Sequence, residues 1–170
     1  METKQKTRRM IMAALLAAII AVCTRFTAFP IPGTAGYVHV GDAFIFLAAV
    51  LLPTPYAAVA GALGGALADF MYGSVVYILP TAIIKALMAI CFFGKKEGKL
   101  FCTANILRAL IAAVIMCAGY YVTEAIMYKS LVSPLIGIVW NLVQGVFSTA
   151  VFIAVAVALD ATKFRERLKK

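Results

Sequence analysis

From Met10 to Ala161 this chain is a series of apolar runs, broken only by short segments rich in proline, glycine or basic residues. Several runs reach the roughly 20 residues that a helix needs to cross a bilayer. In hydrocarbon the backbone must satisfy its own N–H and C=O groups, so runs of this kind fold as helices. They do not alternate polar with apolar residues, which argues against a β-barrel. With 64% hydrophobic and 14% charged residues the chain has too little polar material to clothe a soluble domain. The expectation is an all-α integral membrane protein, a single membrane domain over residues 1–170.

The breaks place six transmembrane helices, at about 10–26, 42–52, 56–71, 75–93, 104–125 and 134–161. Met1 to Arg9 reads as a basic tail. The segment Thr27–Gly41 contains Pro30, Pro32, Gly33 and Gly36 and is expected to be an irregular loop, long enough to cover a site. Pro53-Thr54-Pro55 ends the second helix, and Tyr72-Gly73-Ser74 separates the third from the fourth. The first run has the basic start and apolar middle of a signal peptide. Arg25 and the aromatic residues after it leave no small-residue cleavage site, so a retained span is expected.

The formal net charge of +9 does not point to nucleic acid, because of where the charge lies. Basic residues cluster at Lys4, Lys6, Arg8 and Arg9, at Lys95, Lys96, Lys99 and Arg108, and at Lys163, Arg165, Arg167, Lys169 and Lys170. In a six-helix chain these clusters share one side, and the positive-inside tendency makes that side cytoplasmic. Each cluster is expected to act as a topology determinant that also favours anionic lipid. Cys23, Cys91, Cys102 and Cys117 form neither CxxC nor Cys/His spacing and read as small buried hydrophobes.

Polar residues inside the apolar runs are few, and counting along the helices sets them at similar depths. Asp42 is expected at the outer start of helix two, Asp69 near the outer end of helix three and Glu124 at the outer end of helix five. Asn141 and Gln144 lie one turn apart in the outer half of helix six, and Lys85 lies deeper, near the middle of helix four. Tyr37, Tyr72, Tyr77, Tyr120, Tyr121, Tyr128 and Trp140 fall at the same level, with His39 in the loop above. Ionisable groups within spans are costly and mark sites. Each also has a structural alternative. The aromatics form an interfacial belt; Asp42 caps helix two; Asp69 and Lys85 pair across helices three and four; Asn141 and Gln144 join helices; His39 is solvated. Gathered at one depth, they suggest a polar cavity open outward and closed below.

Enzyme chemistry finds little support. The single histidine excludes a His-Glu-x-x-His metal site, and His39 has no marked nucleophile partner. There is no Gly-x-x-x-x-Gly-Lys-Ser/Thr phosphate loop, so the chain is not itself an ATP-driven motor. A self-sufficient permease or channel remains an alternative, and a membrane enzyme a remoter one.

Three stretches carry a family resemblance: Ala13, Ala17 and Ala21 at spacing four in helix one; Tyr37-Val38-His39-Val40-Gly41-Asp42; and Gly61 to Asp69 followed by Lys85. With six helices and a long first loop, they resemble the substrate-binding S component of an energy-coupling factor (ECF) vitamin transporter. The likeness covers nearly the whole chain and is most similar to members assigned to pyridoxine or hydroxymethylpyrimidine, with riboflavin next. It implies capture of a water-soluble vitamin at the outer face of a prokaryotic cell membrane, both termini being cytoplasmic. It also implies assembly with a membrane coupling subunit (the T component) and two cytoplasmic ATPases. ATP is then used only by those partners, and no covalent cofactor or metal is implied. The expected substrate site comprises Tyr37, His39, Asp42, Asp69, Tyr77, Lys85, Tyr121, Glu124, Trp140, Asn141 and Gln144. The first-helix small-residue face docks on the coupling subunit in this family, and Ala13, Ala17 and Ala21 match it. Ala14 and Ala18 offer a second face.

The topology is testable by labelling. Lys96→Cys and Thr34→Cys, each in a cysteine-free background, are expected to react from opposite sides of the membrane. Equal labelling of both by an impermeant reagent in intact cells would overturn the six-helix arrangement.

Overall fold

The computed structural model describes residues 2–32, 36–95 and 98–167; Met1, Gly33, Thr34, Lys96, Lys169 and Lys170, named above, lie outside the described residues. Six main helices follow one another: α1 (Glu2–Thr27), α2 (Asp42–Leu51), α3 (Thr54–Tyr72), α4 (Ile78–Ile90), α5 (Thr103–Tyr128) and α6 (Leu135–Ala161). A short α7 (Phe164–Arg167) comes last, and a 3-10 turn at Val75–Tyr77 leads into α4. Thr3–Thr27, Thr103–Tyr128 and Leu135–Ala161 are long and apolar enough to cross a membrane on their own, whereas Asp42–Leu51 and Val75–Ile90 are shorter apolar helices.

Several local expectations are corrected. The basic segment Lys4–Arg9 is not a tail but the first turns of α1. The loop after α1 contains a small antiparallel pair, β1 (Phe29–Pro30) and β2 (Tyr37–Val38), with Phe29 opposite Val38 and Pro30 opposite Tyr37. The basic C-terminal segment is not wholly solvated: α7 turns back, and Arg165 donates to the Gly98 carbonyl at 2.7 Å.

Helix α2 is the centre of the bundle. It packs against α1, α3, α4 and α6, and eight of its ten residues are buried. Ten residues rise only about 15 Å, roughly half the hydrocarbon thickness. Its far end is closed by Lys95, whose ammonium donates to the carbonyls of Ala49 and Leu52, two acceptors that a helix end leaves open. Burial, with Arg165 and Arg108 nearby, lowers the Lys95 ammonium to about 8. This lysine therefore does more than set topology. Below the polar residues the interior is apolar: Phe46, Phe92 and Phe152 cluster with ring centroids 6.0–6.5 Å apart.

The glycines of α3 let two neighbours approach its backbone. A β-carbon on Gly64 would lie 2.7 Å from Ile20 and 2.8 Å from the Ala17 carbonyl of α1. One on Gly61 would lie 2.9 Å from the Lys85 carbonyl, and one on Gly65 would lie 2.9 Å from Lys85 Cγ. Small residues make such close helix contacts possible where no hydrophobic drive separates helix from lipid.

This packing bears on Ala13, Ala17 and Ala21, the face that the family resemblance matches to docking on the coupling subunit. All three are buried, with Ala17 set against α3, whereas Ala14 and Ala18 are exposed. Ala17→Leu is accordingly expected to destabilise the isolated protein by about 1–3 kcal/mol through overpacking, while Ala18→Leu leaves its thermal melt unchanged. Equal melts for the two variants would return Ala17 to the surface.

Candidate functional site

Between the β1–β2 hairpin and helices α3, α4, α5 and α6 lies a narrow polar cleft, whose 360 Å³ of empty space includes open solvent. The hairpin contributes Ile31, Gly36, Tyr37 and His39. Asp69 comes from α3, Tyr77 from the 3-10 turn before α4, Thr81 from the first turn of α4, Tyr120 and Glu124 from α5, and Asn141 and Gln144 from α6. Five separate parts of the chain thus converge on one space.

Each wall is fixed by hydrogen bonds. On the α3 side, Tyr37 donates its hydroxyl to Asp69 Oδ1 at 2.7 Å. Its ring stacks on Tyr72 with centroids 4.2 Å apart. The Arg25 guanidinium lies 5.5 Å from the Tyr72 ring centre and donates through Nε to the Met71 carbonyl at 3.2 Å. On the α5 side, Tyr77 donates to Glu124 Oε1 at 3.1 Å, and the hydroxyls of Thr81 and Tyr120 lie 3.1 Å apart.

The floor is a buried network. Lys85 Nζ donates to Asp42 Oδ1 at 2.6 Å, with the two side chains 1% and 0% exposed. Gln144 Nε2 donates to Asp42 Oδ2 at 2.8 Å, and its Oε1 accepts the His39 backbone N–H at 3.0 Å. His39 Nδ1 accepts the Gly41 N–H at 3.0 Å, which places any proton of a neutral ring on Nε2. Gln144 therefore ties the hairpin to the ion pair. The sulfur of Met116 completes the surroundings, 3.1 Å from Gln144 Nε2 and 3.6 Å from Lys85 Nζ.

Three sequence expectations about these groups are corrected. Lys85 pairs with Asp42 and not with Asp69. Asp42 neither caps α2 nor sits at an outer face: Gly41 holds the cap position without a side-chain bond, and Asp42 is fully buried beside the mid-helix Lys85. Because α2 is short, its first residue lies deep in the bundle. His39, one of the expected site residues, is buried and not solvated.

Of the expected residues, Tyr37, His39, Asp69, Tyr77, Glu124, Asn141 and Gln144 line the cavity. Asp42 and Lys85 lie beneath it. Tyr121 is directed elsewhere, donating to the Leu131 carbonyl at 3.0 Å, and Trp140 is half-buried outside the lining. The cavity also uses Ile31, Gly36, Thr81 and Tyr120, which were not among the expected site residues. Thr81 had a legible signal, one turn before Lys85 on the same helix face. Ile31 and Gly36 had none, since only the hairpin brings them there. Among the described residues no group of acidic, histidine and cysteine side chains is arranged to hold a metal.

A bundle of long apolar helices around a small polar cavity is an arrangement suited to a membrane protein that binds small molecules. Comparison with known families makes this specific. The family described as "ECF-type riboflavin transporter, S component" matches residues 4–161, and the chain belongs to that family. It is a transporter family and not an enzyme family, so the protein is a membrane transport component. The match is to the riboflavin type, and the sequence preference for pyridoxine or hydroxymethylpyrimidine finds no support in it. A curated relative from Pyrococcus woesei, described as "Uncharacterized protein in gap 3'region", is 29% identical over 109 residues, 64% of this chain and 73% of that protein.

The floor network gives a stability prediction. Lys85→Met strands the Asp42 carboxylate and is expected to cost about 3–5 kcal/mol, read as a lowered thermal melt. The double variant Lys85→Met with Asp42→Leu is expected to recover much of that loss. No recovery would mean that the stranded charge is not its cause.

Proposed function

We propose that this chain is the substrate-binding subunit of an ECF importer, and that the cavity between the hairpin and α3–α6 takes a small water-soluble vitamin, riboflavin first among them. The observation that carries the reading is the polar cavity in an otherwise apolar bundle of this family. Unsatisfied polar groups buried without ligand or water cost a few kcal/mol each. Tyr37, Tyr77 and Tyr120 offer ring surface, and Asn141 and the carboxylates offer directed hydrogen bonds.

In this reading the cavity is loaded from the outer face, with the hairpin as its cover. The coupling subunit meets the exposed Ala14 and Ala18 face of α1, and two partner ATPases supply the energy. The chain's own lack of a phosphate loop supports that division of labour.

Equilibrium binding of riboflavin, pyridoxine and hydroxymethylpyrimidine to the purified protein tests the site. Riboflavin is expected to bind tightest. Asn141→Ala is expected to weaken it by roughly 1–3 kcal/mol, about ten- to a hundredfold, with the thermal melt preserved. Unchanged affinity in a folded Asn141→Ala protein would remove Asn141 from the site. Uptake into vesicles without the ATPases would show a self-sufficient permease instead.

A further inference from the structure

Helix α2 is held at both ends by one stretch of chain. At its start Asp42 meets Lys85, and at its C-terminal cap the Leu52 carbonyl accepts from Lys95. The separation in sequence is 43 residues in each case, so α2 and the chain from Lys85 to Lys95 run side by side in the same direction. The demand at the far end is written in the sequence. The last carbonyls of a helix have no partner within it. Two of the three residues after Leu52, Pro53 and Pro55, bring no N–H. Lys95 supplies donors from outside, to Ala49 and Leu52 together, and a cation at that end also suits the helix dipole.

The loop that carries Lys95 is itself braced on three helices. Asp160 of α6 accepts the N–H groups of Leu100 and Phe101, each at 2.9 Å. Asn105 of α5 donates to the Leu100 carbonyl at 2.9 Å, and Arg165 of α7 donates to the Gly98 carbonyl. The far end of α2 is thereby located by a loop tied to α5, α6 and α7. Its near end reaches the cavity, because Gln144 donates to Asp42 and accepts the His39 N–H of the hairpin. Between the two ends α2 has little slack. It is short and almost wholly buried, and a close-packed interior passes on a shift instead of absorbing it.

We propose that Lys95 is a positioning residue for the cavity. By fixing the far end of α2 it keeps Asp42 at the depth where Lys85 and Gln144 both meet it. It also makes the loop between α4 and α5 a second handle on the ligand site. Displacing that loop draws Lys95 away from α2, loosens the anchor of the hairpin and weakens ligand binding, although none of the loop's described residues lines the cavity. The effect on a ligand rests on the vitamin reading of the cavity; the effect on the hairpin does not.

Amide hydrogen exchange of the purified, ligand-free, full-length protein tests this. Lys95→Met keeps the apolar stem and removes the donors, and Lys95→Arg keeps donors in place. In Lys95→Met the His39 and Gly41 amides are expected to exchange about tenfold faster, tenfold being 1.4 kcal/mol of local opening. The middle of α5 is expected to keep its rate, and Lys95→Arg to restore protection. Faster exchange confined to residues 49–57 would make Lys95 a local cap and overturn the proposal. So would an even rise across all helices, which reports general loss of stability. In a second measurement, the affinity for riboflavin is expected to fall several-fold in Lys95→Met and to recover in Lys95→Arg. Equal riboflavin affinity in the unaltered protein and a folded Lys95→Met protein would also overturn the proposal, while leaving the vitamin reading intact. If the unaltered protein binds no riboflavin, the riboflavin reading falls and the exchange pattern alone decides the role of Lys95. Lys95→Gln, with its shorter stem, takes the place of Lys95→Met in both measurements if that variant does not purify.

Discussion

The buried ion pair between Asp42 and Lys85 holds the upper half of this protein together. Two charges removed from water are tolerated only when they meet closely and their remaining valences are met. Here the contact is 2.6 Å and Gln144 takes the second Asp42 oxygen. Through that amide the pair also reaches the His39 backbone, so α2, α4, α6 and the hairpin are fixed at one point. The requirement to satisfy a single buried carboxylate thus sets the register of four parts of the chain. Because α2 begins at that depth, the chain from α1 must descend to reach it, and the cavity lies above.

The pair forms only because backbones approach closely. Gly61 and Gly65 allow α4 to lie on α3 with Lys85 and Thr81 in contact, and Gly64 does the same for α1 at Ile20 and Ala17. A larger residue at these places would separate the helices whose side chains build the site. Beneath the network, Phe46, Phe92 and Phe152 fill the space and Lys95 closes the end of α2. The polar cavity therefore has a packed apolar base, an arrangement suited to holding a ligand on one side of the bundle.

Family membership and cavity chemistry answer different questions. The match over residues 4–161 establishes the kind of protein. Asp69 Oδ2 and Glu124 Oε2, buried without a hydrogen-bond partner among the described residues, are features of this chain's own cavity.

The sequence by itself determined the helical membrane class, the run of six main helices and which residues are unusual in an apolar setting. These follow from composition and local periodicity, which tertiary contacts do not alter. Asp69, Glu124, Asn141 and Gln144 were legible as candidates because polar groups in apolar helices stand out. Partners were not legible. Lys85 lies within reach of several acidic residues along the chain, and only the short α2 brought Asp42 to its depth in place of Asp69. The alanine stripe showed a close-packing face but not whether the neighbour was internal; α3, with its own glycines, took Ala17 and left Ala14 and Ala18 outward. Ile31 and Gly36 joined the cavity through a hairpin whose pairing has no local signature. Which groups meet, and so which acceptors stay open in the cavity, was decided by helix length and helix contact, which are properties of the whole bundle and not of any one segment.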